Sequence, residues 1–118
     1  MRMMKILIVD DDRDMAEGLA EALELRGYRA DVAFTGQAGV AAAASGDYDA
    51  VVMDLRLPDL TGIEGLLEIV RDKPKIRCFL ITGDCRARAA EKEWGIEGLE
   101  ILTKPFDPQD LLQHLAAD

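Results

Sequence analysis

Cysteine is nearly absent from this 118-residue chain, which holds only Cys78 and Cys85. Two thiols so near in sequence make neither a disulfide framework nor a zinc site, and they fit a reduced, cytosolic compartment. Nothing adjacent to Cys85 lowers a thiol pKa specifically, so it reads as a bystander. Histidine occurs once, as His114 near the C-terminus, which does not read as a catalytic group. Basic residues are in deficit: 14 Lys and Arg stand against 23 Asp and Glu, for a formal net charge of -9. That balance argues against direct binding to nucleic acid or anionic lipid, both of which recruit excess Lys and Arg. Long apolar runs are missing too. The first, Ile6–Val9, is far shorter than a signal-peptide core or a membrane span, so neither targeting nor membrane insertion is expected. There is no internal repeat, linker or low-complexity stretch; Ala41–Ala44 is a short helical alanine run.

What remains is an ordinary globular composition, 49% hydrophobic and 31% charged, in a chain long enough for one domain with one core. Short apolar runs alternate with amphipathic patterns throughout. Strands are expected near residues 5–10, 29–34, 49–54, 76–82 and 98–103, and helices near 13–26, 36–45, 62–72, 86–94 and 108–117. Such alternation implies βαβ units on a parallel sheet, with right-handed crossovers placing helices on both faces. Gly27 and Gly95 are placed as C-terminal caps, and Asp107-Pro108 as a cap and first turn. Met15, Leu19, Ala22 and Leu23 are expected to share the buried face of the first helix.

Strand composition orders the sheet. Ile6–Val9, Ala50–Met53 and Cys78–Ile81 are apolar throughout, as in strands covered on both faces. Arg29–Phe34 alternates and Leu99–Ile101 contains a charge, so these read as edges. The expected fold is α/β: a doubly wound five-stranded parallel sheet in the order 2-1-3-4-5, a flavodoxin-like (βα)5 sandwich. Its switch point lies between strands 1 and 3, where open sheets of this kind bind ligands.

The carboxyl ends of these strands share one chemistry. Strand 1 ends in Asp10-Asp11-Asp12, strand 3 in Asp54, strand 4 in Thr82 and strand 5 in Lys104-Pro105. Carboxylates crowded together raise each other's pKa unless a cation shares the site. Mg²⁺ answers that need, taking one or two carboxylates together with waters and phosphate oxygens. An aspartate nucleophile can accept a phosphoryl group, and positive charge must then balance the equatorial oxygens. Lys104 can supply that charge and Thr82 a hydroxyl donor, while Gly83 leaves room for the phosphodonor. Each element alone is weak, and Asp12 reads as a helix cap. Their recurrence at four matching strand ends is what carries weight.

Five segments then bear a resemblance: Ile6–Asp12, Met53–Asp59, Thr61-Gly62, Ile81–Gly83 and Leu102–Phe106. Over essentially its whole length the chain resembles the response-regulator receiver domains of two-component signalling. The resemblance implies that Asp54 is the phosphoacceptor, taking phosphoryl from a histidine kinase or phosphotransfer protein. It implies that Asp11 binds Mg²⁺ directly, Asp10 mainly through water, and the backbone carbonyl of Arg56 as well. Thr82 and Lys104 correspond to the pair that grips the phosphoryl group, and the Lys104–Pro105 bond is expected to be cis. On this reading residues 1–118 form a single receiver domain with no output domain in this chain. It would be a switch that catalyses its own phosphorylation and dephosphorylation, not a turnover enzyme. An output domain or effector protein would receive the signal. A homodimer through the helix at 86–94, the strand at 98–103 and the helix at 108–117 stays open.

The chain also departs from the family. Ile101 stands where an aromatic switch residue is usual, and reads as a permanently packed strand residue. This keeps alive the alternative of a phosphorylation-independent protein-binding module. Trp94 reads first as a half-buried anchor and second as a partner contact. Arg56 and Asp84 are expected to pair across the mouth of the site and slow hydrolysis, or else to be solvated charges. Haloacid-dehalogenase-type phosphatases place an acid two residues after the nucleophile, where this chain has Arg56. A flavodoxin-like electron carrier would need a glycine- and hydroxyl-rich loop in place of the acidic triplet.

Overall fold

Over residues 5–82 strand and helix alternate as the hydrophobic pattern requires. In the computed structural model, residues 3–84, 86, 94–105 and 107–116 are described. The strands are β1 (Lys5–Val9), β2 (Arg29–Ala33), β3 (Ala50–Asp54), β4 (Arg77–Thr82) and β5 (Glu100–Thr103). Four helices fall among the described residues: α1 (Arg13–Leu25), α2 (Gly36–Ser45), α3 (Gly62–Asp72) and α4 (Pro108–Ala116). The helix expected over 86–94 lies outside the described residues except at its two ends, as does Cys85. All strand pairs are parallel and the order is β2-β1-β3-β4-β5, as expected.

The interior strands β1, β3 and β4 are buried almost end to end, whereas β2 and β5 are partly open. Their pleat splits the core in two. Ile6, Ile8, Val52, Phe79, Ile81 and Leu102 point to the side covered by α1 and α4. Leu7, Val9, Val51, Met53, Leu80 and Ile101 point to the side of α2 and α3. Each large side chain so buried contributes roughly 1.5–3 kcal/mol relative to exposure.

Local signals start the helices where needed. Asp12 caps α1 by accepting from the Met15 amide, and Thr35 caps α2 by accepting from Ala38. Thr61 and Glu64 form a reciprocal capping box on α3. Gly27 takes positive φ after α1, and Gly95, expected to cap the helix over 86–94, takes positive φ as well. The buried face of α1 is Ala16, Leu19, Ala20 and Leu23. Met15 is half-buried and packs against the same core cluster, whereas Ala22, also expected on that face, flanks it. The stripe follows the i, i+3, i+4, i+7 spacing from Ala16. Among the described residues, no helix is long and apolar enough to cross a membrane.

Candidate functional site

Register sets the strand ends level. Val9 lies opposite Met53, Asp54 opposite Ile81, and Thr82 opposite Thr103. Beyond the strands, the ladder continues by one bond each. The Asp10 amide donates to Ala33 O (3.1 Å), Leu55 to Ile81 O (2.8 Å) and Lys104 to Thr82 O (2.7 Å). The peptide bonds that carry the polar side chains are therefore held as firmly as the sheet itself. The Lys104–Pro105 bond is cis, as the resemblance implied.

Asp10, Asp11, Asp54, Thr82 and Lys104 meet at this rim. Ligand-capable oxygens of Asp10, Asp11 and Asp54 all lie within 4.8 Å of one another. Asp10 is fully buried, Asp54 is 7% exposed and Thr82 is 2% exposed. Lys104 Nζ donates to Asp54 Oδ2 at 3.1 Å and stands 3.7 Å from Asp10 Oδ2. Asp10 Oδ1 accepts from the Asp12 amide at 3.0 Å, but its buried Oδ2 has no hydrogen-bond partner. Thr82 Oγ1 accepts from the Asp84 amide at 3.0 Å, and the Arg56 amide leans on Asp54 Oδ1 at 3.4 Å.

Electrostatics follow from this packing. Burial pushes the Asp10 carboxyl up to about 6, against the Asp12 amide and Lys104, with Asp54 adding to the rise. Burial opposes the charge on Lys104 too, but the Asp54 carboxylate outweighs it and holds the ammonium above its usual range. An oxygen-only donor set with an orphaned, buried carboxylate oxygen fits a hard divalent cation. Softer ions that prefer sulfur or imidazole find no such ligand in the cluster.

In front of the carboxylates is a cleft of about 530 Å³, lined by Asp54, Arg56, Thr82, Gly83, Asp84, Arg86 and Lys104. Its mouth corrects one expectation: Asp84 pairs with Arg86, not Arg56. Asp84 Oδ1 accepts from Arg86 Nε at 3.0 Å and from its amide at 2.9 Å, while Oδ2 accepts from Nη2 at 2.9 Å. A guanidinium two residues away closes a local fork more readily than one across the cleft. This fork holds the Asp84 carboxyl down at about 2, with Arg56 contributing only through space. Arg86 was missed from sequence; its Asp-x-Arg spacing was the available signal.

Ile101 is 4% exposed within the core on the α2 and α3 side, and Trp94 packs half-buried against the same core. His114 Nδ1 lies 2.9 Å from Glu100 Oε2, away from the site. Cys78 is buried, which pushes its thiol up to about 11 and leaves it inert.

The description "Response regulator receiver domain" matches residues 6–116. The chain belongs to the response-regulator receiver domain family. It is 34% identical over 116 residues to the transcriptional regulatory protein TcrA of Mycobacterium tuberculosis, covering 97% of this chain and 45% of that protein. It is 32% identical over 117 residues to the response regulator ArlR of Staphylococcus saprophyticus, covering 98% and 52% respectively. This receiver domain thus spans about half the length of those relatives. Among solved structures, the response regulator protein TrrA of Thermotoga maritima, in complex with Mg(2+)-BeF, aligns with a TM-score of 0.85. That match is 31% identical and covers 96% of each chain. A CheY-like receiver domain protein from Methanospirillum hungatei aligns with a TM-score of 0.87 at 28% identity, covering 97% of this chain and 91% of that one.

Proposed function

We propose that this receiver domain is a Mg²⁺-dependent phosphoacceptor switch of a two-component or phosphorelay pathway, with Asp54 as the acceptor. The observation that carries the reading is the ion pair of Asp54 with Lys104, beside a buried Asp10 oxygen that has no hydrogen-bond partner. Asp10, Asp11, Asp54 and the Arg56 carbonyl would hold the ion, which supplies charge neutralisation for the transferring group. An Asp54 oxygen attacks the phosphorus of a phosphohistidine on a sensor kinase or phosphotransfer protein. The P–N bond breaks, its electron pair returns to the imidazole, and an acyl phosphate forms on Asp54. Lys104 then exchanges the lost carboxylate charge for a phosphoryl oxygen, and the Thr82 hydroxyl can turn to donate to another. The new contacts pull on the loop after Thr82 and alter a partner-binding surface.

Arg56 stands where a phosphatase of similar chemistry needs an acid, which supports slow self-dephosphorylation over turnover. An apolar groove of about 560 Å³ between Met15, Leu19, Pro105 and Pro108 adjoins Lys104 and suits a helical phosphodonor protein. We take residues 1–118 to act as one cytoplasmic receiver unit, signalling to an output domain or effector protein. The homodimer through 86–94, β5 and α4 falls partly outside the described residues. The buried Ile101 favours a second reading, a protein-binding module that no longer needs phosphate, because it removes the usual aromatic relay. Incubation with acetyl phosphate and Mg²⁺ separates the two. The first reading expects one acid- and base-labile phosphoryl group on wild type and none on Asp54→Asn; equal incorporation in both overturns the acceptor.

A further inference from the structure

We propose that Asp59 is a positioning residue for the phosphoacceptor loop, acting by clamping that loop onto the first turn of α2. The inference rests on the receiver reading above and adds a residue to it. Residues 55–61 follow Asp54 and include Arg56, so their path decides where the Arg56 peptide sits. The loop is closed at its base, where the Gly62 amide donates to Leu55 O at 2.7 Å and Arg56 pairs with Thr61 in an antiparallel bridge. At its tip, Asp59 Oδ1 accepts from the Gly36 amide and Oδ2 from the Gln37 amide, each at 2.8 Å.

Two features separate this clamp from an ordinary helix cap. First, α2 already has its own cap, because Thr35 Oγ1 accepts from the Ala38 amide at 3.1 Å. Asp59 comes from more than twenty residues away to bond the two amides that Thr35 leaves free. Second, α2 is cut to receive the loop. A Cβ on Gly36 would overlap the Leu60 side chain and stand 3.1 Å from Asp59 Oδ1, so glycine lets both side chains of the loop pack against the helix start without shifting. One turn on, a Cβ on Gly39 would stand 2.6 Å from Val9 Cγ2, so α2 is seated directly on the strand end that leads into Asp10. Asp59 therefore joins the two halves of the carboxylate cluster through α2. Asp10 and Asp11 follow the strand beneath the helix, and Asp54 and Arg56 belong to the loop clamped to its start.

The test compares wild type, Asp59→Ala, Asp59→Asn and Thr35→Ala, reading Mg²⁺ affinity by calorimetry, initial phosphorylation rate with acetyl phosphate, and melting temperature. Asp59 bonds the start of α2 and not a carboxylate of the cluster, so Asp59→Ala is expected to weaken Mg²⁺ binding several-fold, below the about 10- to 100-fold typical of losing a ligand's own hydrogen-bond partner. Its phosphorylation rate should fall at limiting Mg²⁺. Asp59→Asn, which keeps one acceptor, should recover part of the affinity. Thr35→Ala weakens the same helix start without touching the loop, so it should lower the melting temperature and leave Mg²⁺ binding unchanged. The proposal is overturned if Asp59→Ala melts lower yet binds Mg²⁺ and is phosphorylated as wild type, or if Thr35→Ala impairs Mg²⁺ binding equally. A wild-type protein that binds no Mg²⁺ and takes no phosphoryl group overturns the receiver reading itself.

Discussion

Replacing Asp10 by Asn should make the metal-free protein more stable. Asp10 is fully buried, one of its oxygens has no hydrogen-bond partner, and burial lifts its carboxyl from 3.8 to about 6. A carboxylic acid with a raised folded-state pKa binds its proton more tightly when folded than unfolded. Its contribution to stability is thus complete below the unfolded value, is lost as pH rises towards 6, and stays lost above that. Two units at roughly 1.4 kcal/mol each set an upper figure of about 3 kcal/mol carried as a penalty at pH 7.5. Asn can still accept from the Asp12 amide, and Lys104 keeps its closer partner, Asp54, at 3.1 Å. Urea unfolding at pH 7.5 in EDTA should therefore show Asp10→Asn gaining about 1–3 kcal/mol. At pH 4 the gain should shrink, because wild-type Asp10 is by then protonated when folded. Saturating Mg²⁺ should stabilise wild type more than the variant, since only the folded cluster binds it. A variant no more stable than wild type in EDTA at pH 7.5 would refute the reasoning.

Gly62 should tolerate no side chain. A Cβ there would overlap the Asp54 carbonyl oxygen and reach the Asp54 carbonyl carbon and Leu55 Cα at 2.9 Å, all of them backbone. Gly62→Ala is expected to lose about 2–4 kcal/mol by urea unfolding. Gly18→Ala, in α1 with nothing within 4 Å, should gain about 0.5–1 kcal/mol; the reverse order would contradict the structure. Lys104→Met removes the cation nearest Asp54, so Mg²⁺ should bind several-fold tighter while any phosphorylation-driven structural response is lost. Weaker Mg²⁺ binding by calorimetry would show that Lys104 supports the metal cluster instead of competing with it.

Much of this was legible in sequence because the two kinds of signal act over short range. Ile6–Val9, Ala50–Met53 and Cys78–Ile81 carry apolar residues on both faces, which only a doubly covered strand can satisfy, and all three are interior. The residue that follows each such run inherits a place at the rim, which groups Asp10, Asp54 and Thr82, and Lys104 joins them from the end of the edge strand β5. What escaped was choice among equivalent partners. Asp84 could have reached either Arg56 or Arg86, and the nearer guanidinium holds it. Asp59 reads in sequence as one more turn residue. Its partners are backbone amides of a helix start, and every helix in the chain presents such amides. The face of α1 was misjudged at Ala22 because alanine is small enough to fit either side of the stripe.

Asp10 and Asp11 are neighbours in the chain, yet one is fully buried and the other exposed. The Asp10 amide is still in the ladder, bonded to Ala33 O, so the pleat turns its side chain inward as though the strand had one more core residue. An apolar residue there would stabilise the fold and empty the site of its buried charge. The strand bodies and the strand tips should therefore answer mutation in opposite directions. Truncating Val9, Met53 or Ile81 costs packing and lowers stability, whereas neutralising Asp10 relieves a penalty and removes a proposed metal ligand. On the proposed function, cation binding would reconcile the two by returning to the folded state the free energy that the crowded carboxylates withhold.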